Sequence, residues 1–340
     1  MNKATFLKKL VQLILIAIII DLIVWAVIQP SDYMAVEFDS EFGLHLKPNQ
    51  SGVWSYWPKK DIEAKFSVNI NGWNTIHNQY IGESKSLKIA IIGDSYVEGR
   101  HVNIEATYPV QLGKLLNKKK PCNVYPFACS GWNAAQYLHV LPIIAQKYKP
   151  KQIIINIERN DFIDANFTAK NKFGLASFKM ENSSVKLIPP TLYETPLYKR
   201  ALSKSAIARA VYSYANVDKK MLPVTMRRPI DESEIKFADF FYSKIKEYQK
   251  TYNLEITVFI DGDRTQFYKP DEFEATTNTY NETLLTISKK HEVLTINLDI
   301  AFDADFEINH TILNFENDSH WNAYCHNLVA NTVFKAISKM

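Results

Sequence analysis

The sequence predicts an α/β fold: a central parallel five-stranded sheet covered by helices on both faces, preceded by one N-terminal transmembrane helix. Three observations predict it. From residue 87 onward, short apolar runs alternate with longer amphipathic segments, the pattern of strands joined by crossover helices. One run, Ile153-Ile154-Ile155, is apolar without a break, as a strand buried on both faces must be. Near the start of the chain, Leu10 to Ile28 is almost continuous hydrocarbon and about as long as a bilayer-crossing helix.

Residues 1–9 carry Lys3, Lys8 and Lys9, whereas Asp32, Glu37, Asp39 and Glu41 follow the apolar run. The positive-inside rule puts residues 1–9 in the cytoplasm, 10–28 in the membrane, and the rest outside, in the periplasm or at the cell surface. Gln29-Pro30 ends the run without a small-x-small cleavage site, which favours a retained single-pass anchor over a cleaved signal peptide. Asp21 is costly inside such a span. It either faces a partner helix or is tolerated in a lone one.

Residues 29–86 read as a stalk and a β-rich lead-in, punctuated by Gly43, Pro48, Gly52, Pro58 and Gly72. Trp54, Tyr56, Trp57 and Trp73 belong either at the membrane interface or against the main domain. The alternation Phe66-Ser67-Val68-Asn69-Ile70 favours packing.

Residues 87–340 then form the main domain. Its strands are predicted at Leu87–Ile92, Asn123–Ala128, Gln152–Ile157, Glu255–Ile260 and Val293–Leu298. Helices are predicted at Thr107–Lys119, Trp132–Lys147, Ser233–Tyr252, Thr277–Lys290 and Ala323–Ser338. Residues 162–231 interrupt the alternation with five prolines, eight basic residues between Lys199 and Arg228, and a helical piece near Lys199–Tyr214. Such an insertion lies at the sheet rim. Its basic residues suit lipid headgroups or an anionic glycan, or form a solvated face.

The chain has 40 Lys and Arg against 36 Asp and Glu, a net charge of +4. That is too even for a nucleic-acid partner, which calls for a concentrated basic face. Cys122 and Cys129 would stand about 23 Å apart along an extended segment, so no disulfide framework is expected. His101, His139 and His326 have no carboxylate or cysteine neighbours at metal-ligand spacing, so no metal and no cofactor are expected.

The chemistry is concentrated where strands end. Ligand sites of open parallel sheets form beyond the carboxyl ends of the strands. Gly93-Asp94-Ser95 follows the first strand, Gly131 the second and Asn160-Asp161 the third, while Asp318-Ser319-His320 precedes the last helix. A serine hydroxyl needs a base to become a nucleophile, and His320 is the candidate. Asp318 would orient its imidazole and stabilise the imidazolium. An oxyanion needs donors already in place, here the backbone N–H of Ser95, the backbone N–H of Gly131 and the side-chain amide of Asn160. Trp132 and Trp321 adjoin these residues and either stack on a sugar ring or pack in the core. Asp161 either contacts substrate or orients its loop.

These blocks resemble the SGNH hydrolase superfamily, the GDSL-like esterases, of the membrane-anchored cell-envelope type. Gly93-Asp94-Ser95 matches the first block, Gly131 the second, Asn160-Asp161 the third and Asp318-Ser319-His320 the fifth. The resemblance spans roughly 87–161 and 315–338. It implies a flavodoxin-like three-layer α/β/α fold and ester chemistry at a Ser95, His320, Asp318 triad. Two features depart from the pattern. Glu158 stands where the third block has glycine, and Asp318 precedes His320 by two residues where many members use three. The resemblance implies a serine esterase or O-acyltransferase acting on an acylated carbohydrate of the cell envelope, with a lipid ester as a further substrate class. It leaves open a membrane acyltransferase as partner, and an inactive module that binds a glycan or that partner.

Overall fold

The computed structural model describes residues 3–56, 60–83, 86–168, 173–214, 230–264, 267, 276–316 and 318–338. It opens with α1 (Lys3–Val27), 25 residues with none buried. At 1.5 Å per residue the helix is about 37 Å long. Among the described residues it is the one helix long and apolar enough to cross a membrane. It starts before Leu10 because residues 3–9 contain no glycine or proline and are rich in lysine, a good helix former.

The lead-in is not a free stalk. It folds into two antiparallel pairs, β1 (Val36–Asp39) with β2 (Gly43–Leu46) and β3 (Gln50–Ser55) with β4 (Glu63–Val68). Along β4, Ala64, Phe66 and Val68 are buried and the residues between them are exposed, the period of a half-buried strand. Phe42, Trp73 and Tyr80 then join Phe127 and Trp132 in one buried aromatic cluster with edge-to-face contacts. Packing therefore wins over the interface for Trp73. Trp57 lies outside the described residues.

The central sheet contains β5 (Leu87–Gly93), β6 (Cys122–Ala128), β7 (Gln152–Ile157), β10 (Glu255–Ile260) and β11 (Thr295–Asn297). Between them in sequence, β8 (Ser177–Glu181) and β9 (Ser184–Ile188) form a hairpin in the insertion. The sheet order is β6-β5-β7-β10-β11, all parallel. Its growth reverses between β5 and β7, which opens a crevice at the ends of those strands.

Alternate residues of each strand feed two separate cores. Ala90, Ile92, Phe127, Ile153, Ile155 and Val258 pack under α4 (Ala134–Tyr148), α8 (Glu232–Tyr252) and α9 (Thr276–Lys290). Ile89, Ile91, Val124, Ile154 and Phe259 pack under α3 (Tyr108–Asn117), α10 (Asp299–Asn309) and α11 (Ala323–Ile337). The result is a three-layer α/β/α arrangement.

Helix ends differ from the sequence expectation where a cap decides. Asn133 accepts from Gln136 N and starts α4 two residues later than predicted. Asp231 and Glu234 form a capping box that starts α8 one residue earlier. Short elements escaped prediction: α2 (Ser95–Glu98), α5 (Asp161–Asp164), α10, and the hairpin of β12 (Asn314–Phe315) with β13 (Asp318–Trp321). The insertion also contains α6 (Leu197–Leu202) and α7 (Ala206–Tyr214). Asp21 does face a helix, one of the two expectations for it, and that helix belongs to its own chain. Its carboxylate accepts from Ser205 Oγ at 2.7 Å, Ile207 N at 3.0 Å and Ala206 N at 3.2 Å, and so caps α7 of its own chain.

Candidate active site

Ser95 sits where β5 turns into α2, and two neighbours shape that turn. A Cβ on Gly93 would lie 2.2 Å from Val97 Cγ2, so only glycine lets the strand end pass so close to the helix. Asp94 caps α2 by accepting from Tyr96 N at 3.0 Å. Burial pushes the Asp94 carboxyl up to about 6, against the pull of that bond and of His320. Ser95 is 9% exposed.

His320 Nε2 lies 2.8 Å from Ser95 Oγ, and His320 Nδ1 lies 2.5 Å from Asp318 Oδ1. The pair spans 225 residues of sequence, so the fold alone brings them together. Asp318 Oδ1 also accepts from His320 N at 2.8 Å. Burial alone would raise the Asp318 carboxyl. The hydrogen bond and charge of His320 outweigh burial and hold it well below the usual carboxylate range. A carboxylate at Nδ1 fixes the tautomer that leaves Nε2 free to take the serine proton.

Three partners of this arrangement were not foreseen. Tyr56, at the end of β3, donates to Asp318 Oδ2 at 2.7 Å. His101 stacks on His320 with centroids 3.8 Å apart and planes at 21°, and its Nε2 lies 4.0 Å from Asp318 Oδ2. Trp54 meets His101 edge-on at 4.5 Å. The expectation that His101 has no carboxylate neighbour is thus corrected: the fold supplies one that spacing could not reveal. Burial pushes the His101 imidazole well below its ordinary range, and the nearby His320 adds to this. The only sequence signal for these partners was the aromatic richness around Trp54 and Tyr56.

His101, Asp318 and His320 offer ligand atoms within 4.8 Å of one another. Both Asp318 oxygens are already engaged, Oδ1 by His320 and Oδ2 by Tyr56, and His320 Nε2 faces Ser95. The donor set therefore fits a proton relay more closely than a dedicated metal cage, which would have to displace the serine from the base.

The hairpin that carries Asp318 and His320 is fastened from β10. Arg264 bridges Asp261 at 2.5 Å and donates to Ser319 O at 3.2 Å, and Tyr96 OH donates to the same carbonyl at 3.1 Å. Trp321 Nε1 donates to Asp261 Oδ1 at 3.1 Å. Burial raises the Glu158 carboxyl well above its ordinary range, and the adjacent Asp261 raises it further. Glu158 is buried and accepts from Asn156 Nδ2 at 2.8 Å, and its burial and the neighbouring Asp261 both favour its protonated form. This is what the residue in place of glycine does here.

The proposed oxyanion donors are placed unequally. Gly131 has φ +84° in a turn closed by Trp132 N donating to Cys129 O at 3.0 Å, a conformation that asks for glycine. A Cβ there would meet nothing within 4 Å, so this turn borders open space. Glu98 ties it to α2, accepting from Ser130 N at 2.7 Å and Ser130 Oγ at 2.8 Å. Asn160 is half-buried, and its amide donates to Asp164 Oδ2 at 2.7 Å. One of its two amide N–H groups is therefore engaged away from Ser95.

The three candidate substrate contacts are corrected. Trp132, Trp321 and Asp161 are all 0% exposed. Trp132 Nε1 donates to Leu44 O at 2.6 Å within the aromatic core. Asp161 accepts from Tyr137 OH and, at 2.7 Å, from Glu158 N. None presents a face to a sugar ring, and Asp161 orients its own loop.

Two predictions arise from these contacts. Tyr56→Phe removes one partner of a charged acceptor, a bond worth about 1.5–3 kcal/mol, and is expected to lower kcat about tenfold with KM little changed. Steady-state kinetics on an activated ester check it. The second concerns His326, which burial pushes down to about 3 and whose Nδ1 accepts from Tyr108 N at 3.2 Å. Between pH 6.5 and 3 the unfolded chain protonates this imidazole and the native chain does not. The unfolded state then binds more protons, so stability from this group is complete above pH 6.5 and is lost as pH falls. Relative to His326→Gln, the wild type is expected to lose up to about 1 kcal/mol per pH unit in that window. Urea midpoints at pH 7, 5.5 and 4 measure it.

Comparison with known proteins gives no match to any protein-family model and none to a curated protein. Solved structures of similar outline exist at low likeness. A psychrotrophic esterase, EstA from Pseudoalteromonas sp., shares 14% identity over 74% of this chain and 97% of its own, with a TM-score of 0.40. LAE5, an alpha/beta hydrolase from the metagenome of Lake Arreo, shares 13% over 75% and 96%, with a TM-score of 0.44. A catalytic mutant of Axe2, an acetylxylan esterase from Geobacillus stearothermophilus, shares 15% over 76% and 96%, with a TM-score of 0.42. The chemistry assigned below rests on the geometry of this chain.

Proposed function

We propose that this protein is an SGNH-type serine esterase or O-acyltransferase, held outside the cytoplasmic membrane by α1. The observation that carries the proposal is the continuous relay from Ser95 Oγ through His320 to Asp318, at 2.8 and 2.5 Å. Ser95 Oγ attacks the acyl carbonyl carbon while its proton passes to His320 Nε2. The N–H groups of Ser95 and Gly131, with the amide of Asn160, receive the oxyanion. Collapse expels the alcohol, which takes the proton from His320, and leaves an acyl-Ser95. His320 then removes a proton from the acceptor, which attacks the acyl carbon and frees Ser95. Water as acceptor makes an esterase; a sugar hydroxyl makes a transferase. The same residues serve both.

The substrate we favour is an acetyl ester of a cell-envelope polysaccharide. The apolar α1, with lysines in its first turns and carboxylates after it, supports the extracytoplasmic setting, and the sequence resemblance supports the acyl group. The test is hydrolysis of 4-nitrophenyl acetate by the full chain in detergent micelles, with and without an added polysaccharide acceptor. Turnover that needs Ser95 supports the proposal, and its diversion to the polysaccharide would identify a transferase. Equal rates for wild type and Ser95→Ala would overturn it.

A further inference from the structure

We propose that the α6–α7 part of the insertion is a second membrane contact, immersed in the outer leaflet beside α1. The proposal rests on the reading of α1 as a membrane span.

The contact with Asp21 sets the depth. Asp21 precedes Val27, the end of α1, by six residues, about 9 Å along the axis. Trp25 lies one turn above it, a residue type that favours the headgroup level. Ser205, Ala206 and Ile207 therefore meet α1 below that level. The contact satisfies both sides. Asp21 gains three donors and the positive end of α7, which offsets its unfavourable place in an apolar helix. The first N–H groups of α7 gain acceptors, as backbone must where water is scarce. Arg209 adds a second tie, 3.6 Å from Asp32 just beyond the span.

The exposed side chains in and just before α6–α7 suit the same medium. Leu197 is 80% exposed and Val211 63%, and Leu192, Tyr198 and Tyr214 are exposed as well. Tyrosines on an apolar surface suit the interface. Lys199, Arg200 and Lys204 supply positive charge, and no acidic residue lies between Thr195 and Tyr214. Such a segment is drawn to anionic headgroups while its apolar side chains enter the leaflet. The basic residues of α6–α7 are thereby read as lipid-facing rather than glycan-facing, whereas Lys219, Lys220, Arg227 and Arg228 lie outside the described residues.

The test uses the full chain in vesicles of phosphatidylethanolamine and phosphatidylglycerol. A nitroxide is attached at Leu197→Cys or Val211→Cys. Leu15→Cys serves as the reference inside α1 and Asn327→Cys as the aqueous reference. The three native cysteines are buried, and the labelled wild type is the blank. Power saturation with oxygen and with a polar nickel chelate reads the surroundings. Oxygen is expected to collide more often than nickel at residues 197, 211 and 15, with the order reversed at 327. Nickel dominating at 197 and 211 but not at 15 would overturn the inference and leave the anchor standing. Nickel dominating at 15 too would overturn both. Low collision rates with both reagents at 197 and 211 would mean that a second copy covers the face, which also contradicts immersion.

Discussion

Replacing Ser95 with alanine is expected to lower kcat for 4-nitrophenyl acetate by roughly 10⁶-fold, with only the oxyanion donors and binding left to act. The size follows from the arrangement. His320 Nε2 has no other nucleophile within hydrogen-bond reach among its described contacts, and Asp318 cannot act without it. The fold should survive the change. Apart from His320, the hydroxyl's only described contact is a 3.3 Å approach to Asp94, so stability should change by less than about 1.5 kcal/mol. A melting temperature close to wild type together with lost turnover would separate chemistry from folding. Turnover retained in the folded variant would remove Ser95 from the mechanism.

The second large effect is expected at Asp318. Asp318→Asn keeps the volume and removes the charge. The carboxylate now accepts from His320 N, His320 Nδ1 and Tyr56 OH through its two oxygens. An amide has one oxygen, so it must turn an N–H toward either His320 or Tyr56. If it faces His320, the imidazole adopts the tautomer that puts a proton on Nε2, and the base is lost. If it faces Tyr56, the imidazole keeps its tautomer but loses the negative charge that stabilises its protonated form. A loss of about 10⁴-fold in kcat is expected, with KM little affected. A loss below tenfold would show that the histidine is oriented without Asp318, with His101 and Tyr96 stacked beside it as the remaining supports.

The sheet was legible in the sequence because its strands are buried on both sides. Ile153 to Ile157 packs into both cores, and burial of that kind leaves an apolar run that no other element explains. The strand-end polar residues were legible for a related reason, since Gly93-Asp94-Ser95 and Asn160-Asp161 interrupt such runs abruptly. What pattern cannot carry is a contact across distant sequence. Tyr56 reaches Asp318 over 262 residues, and the aromatic richness around it does not say which residue it meets. His101 has no ligand-like neighbours in sequence yet stacks on His320. For Trp132 and Trp321 adjacency to a site residue left sugar stacking and core packing both open, and both side chains turn inward. Asp21 was legible as a costly residue, though its partner, the start of α7 more than 180 residues away, was not.

The measurement that tests the central claim most directly is intact-mass analysis of the full chain after treatment with a fluorophosphonate ester, followed by peptide mapping. Serine activated by a neutral imidazole displaces fluoride and keeps the phosphonyl group. One adduct per chain, located on Ser95 and absent from His320→Ala, is the result the account predicts. An unmodified, folded protein, or an adduct on another residue, would contradict it.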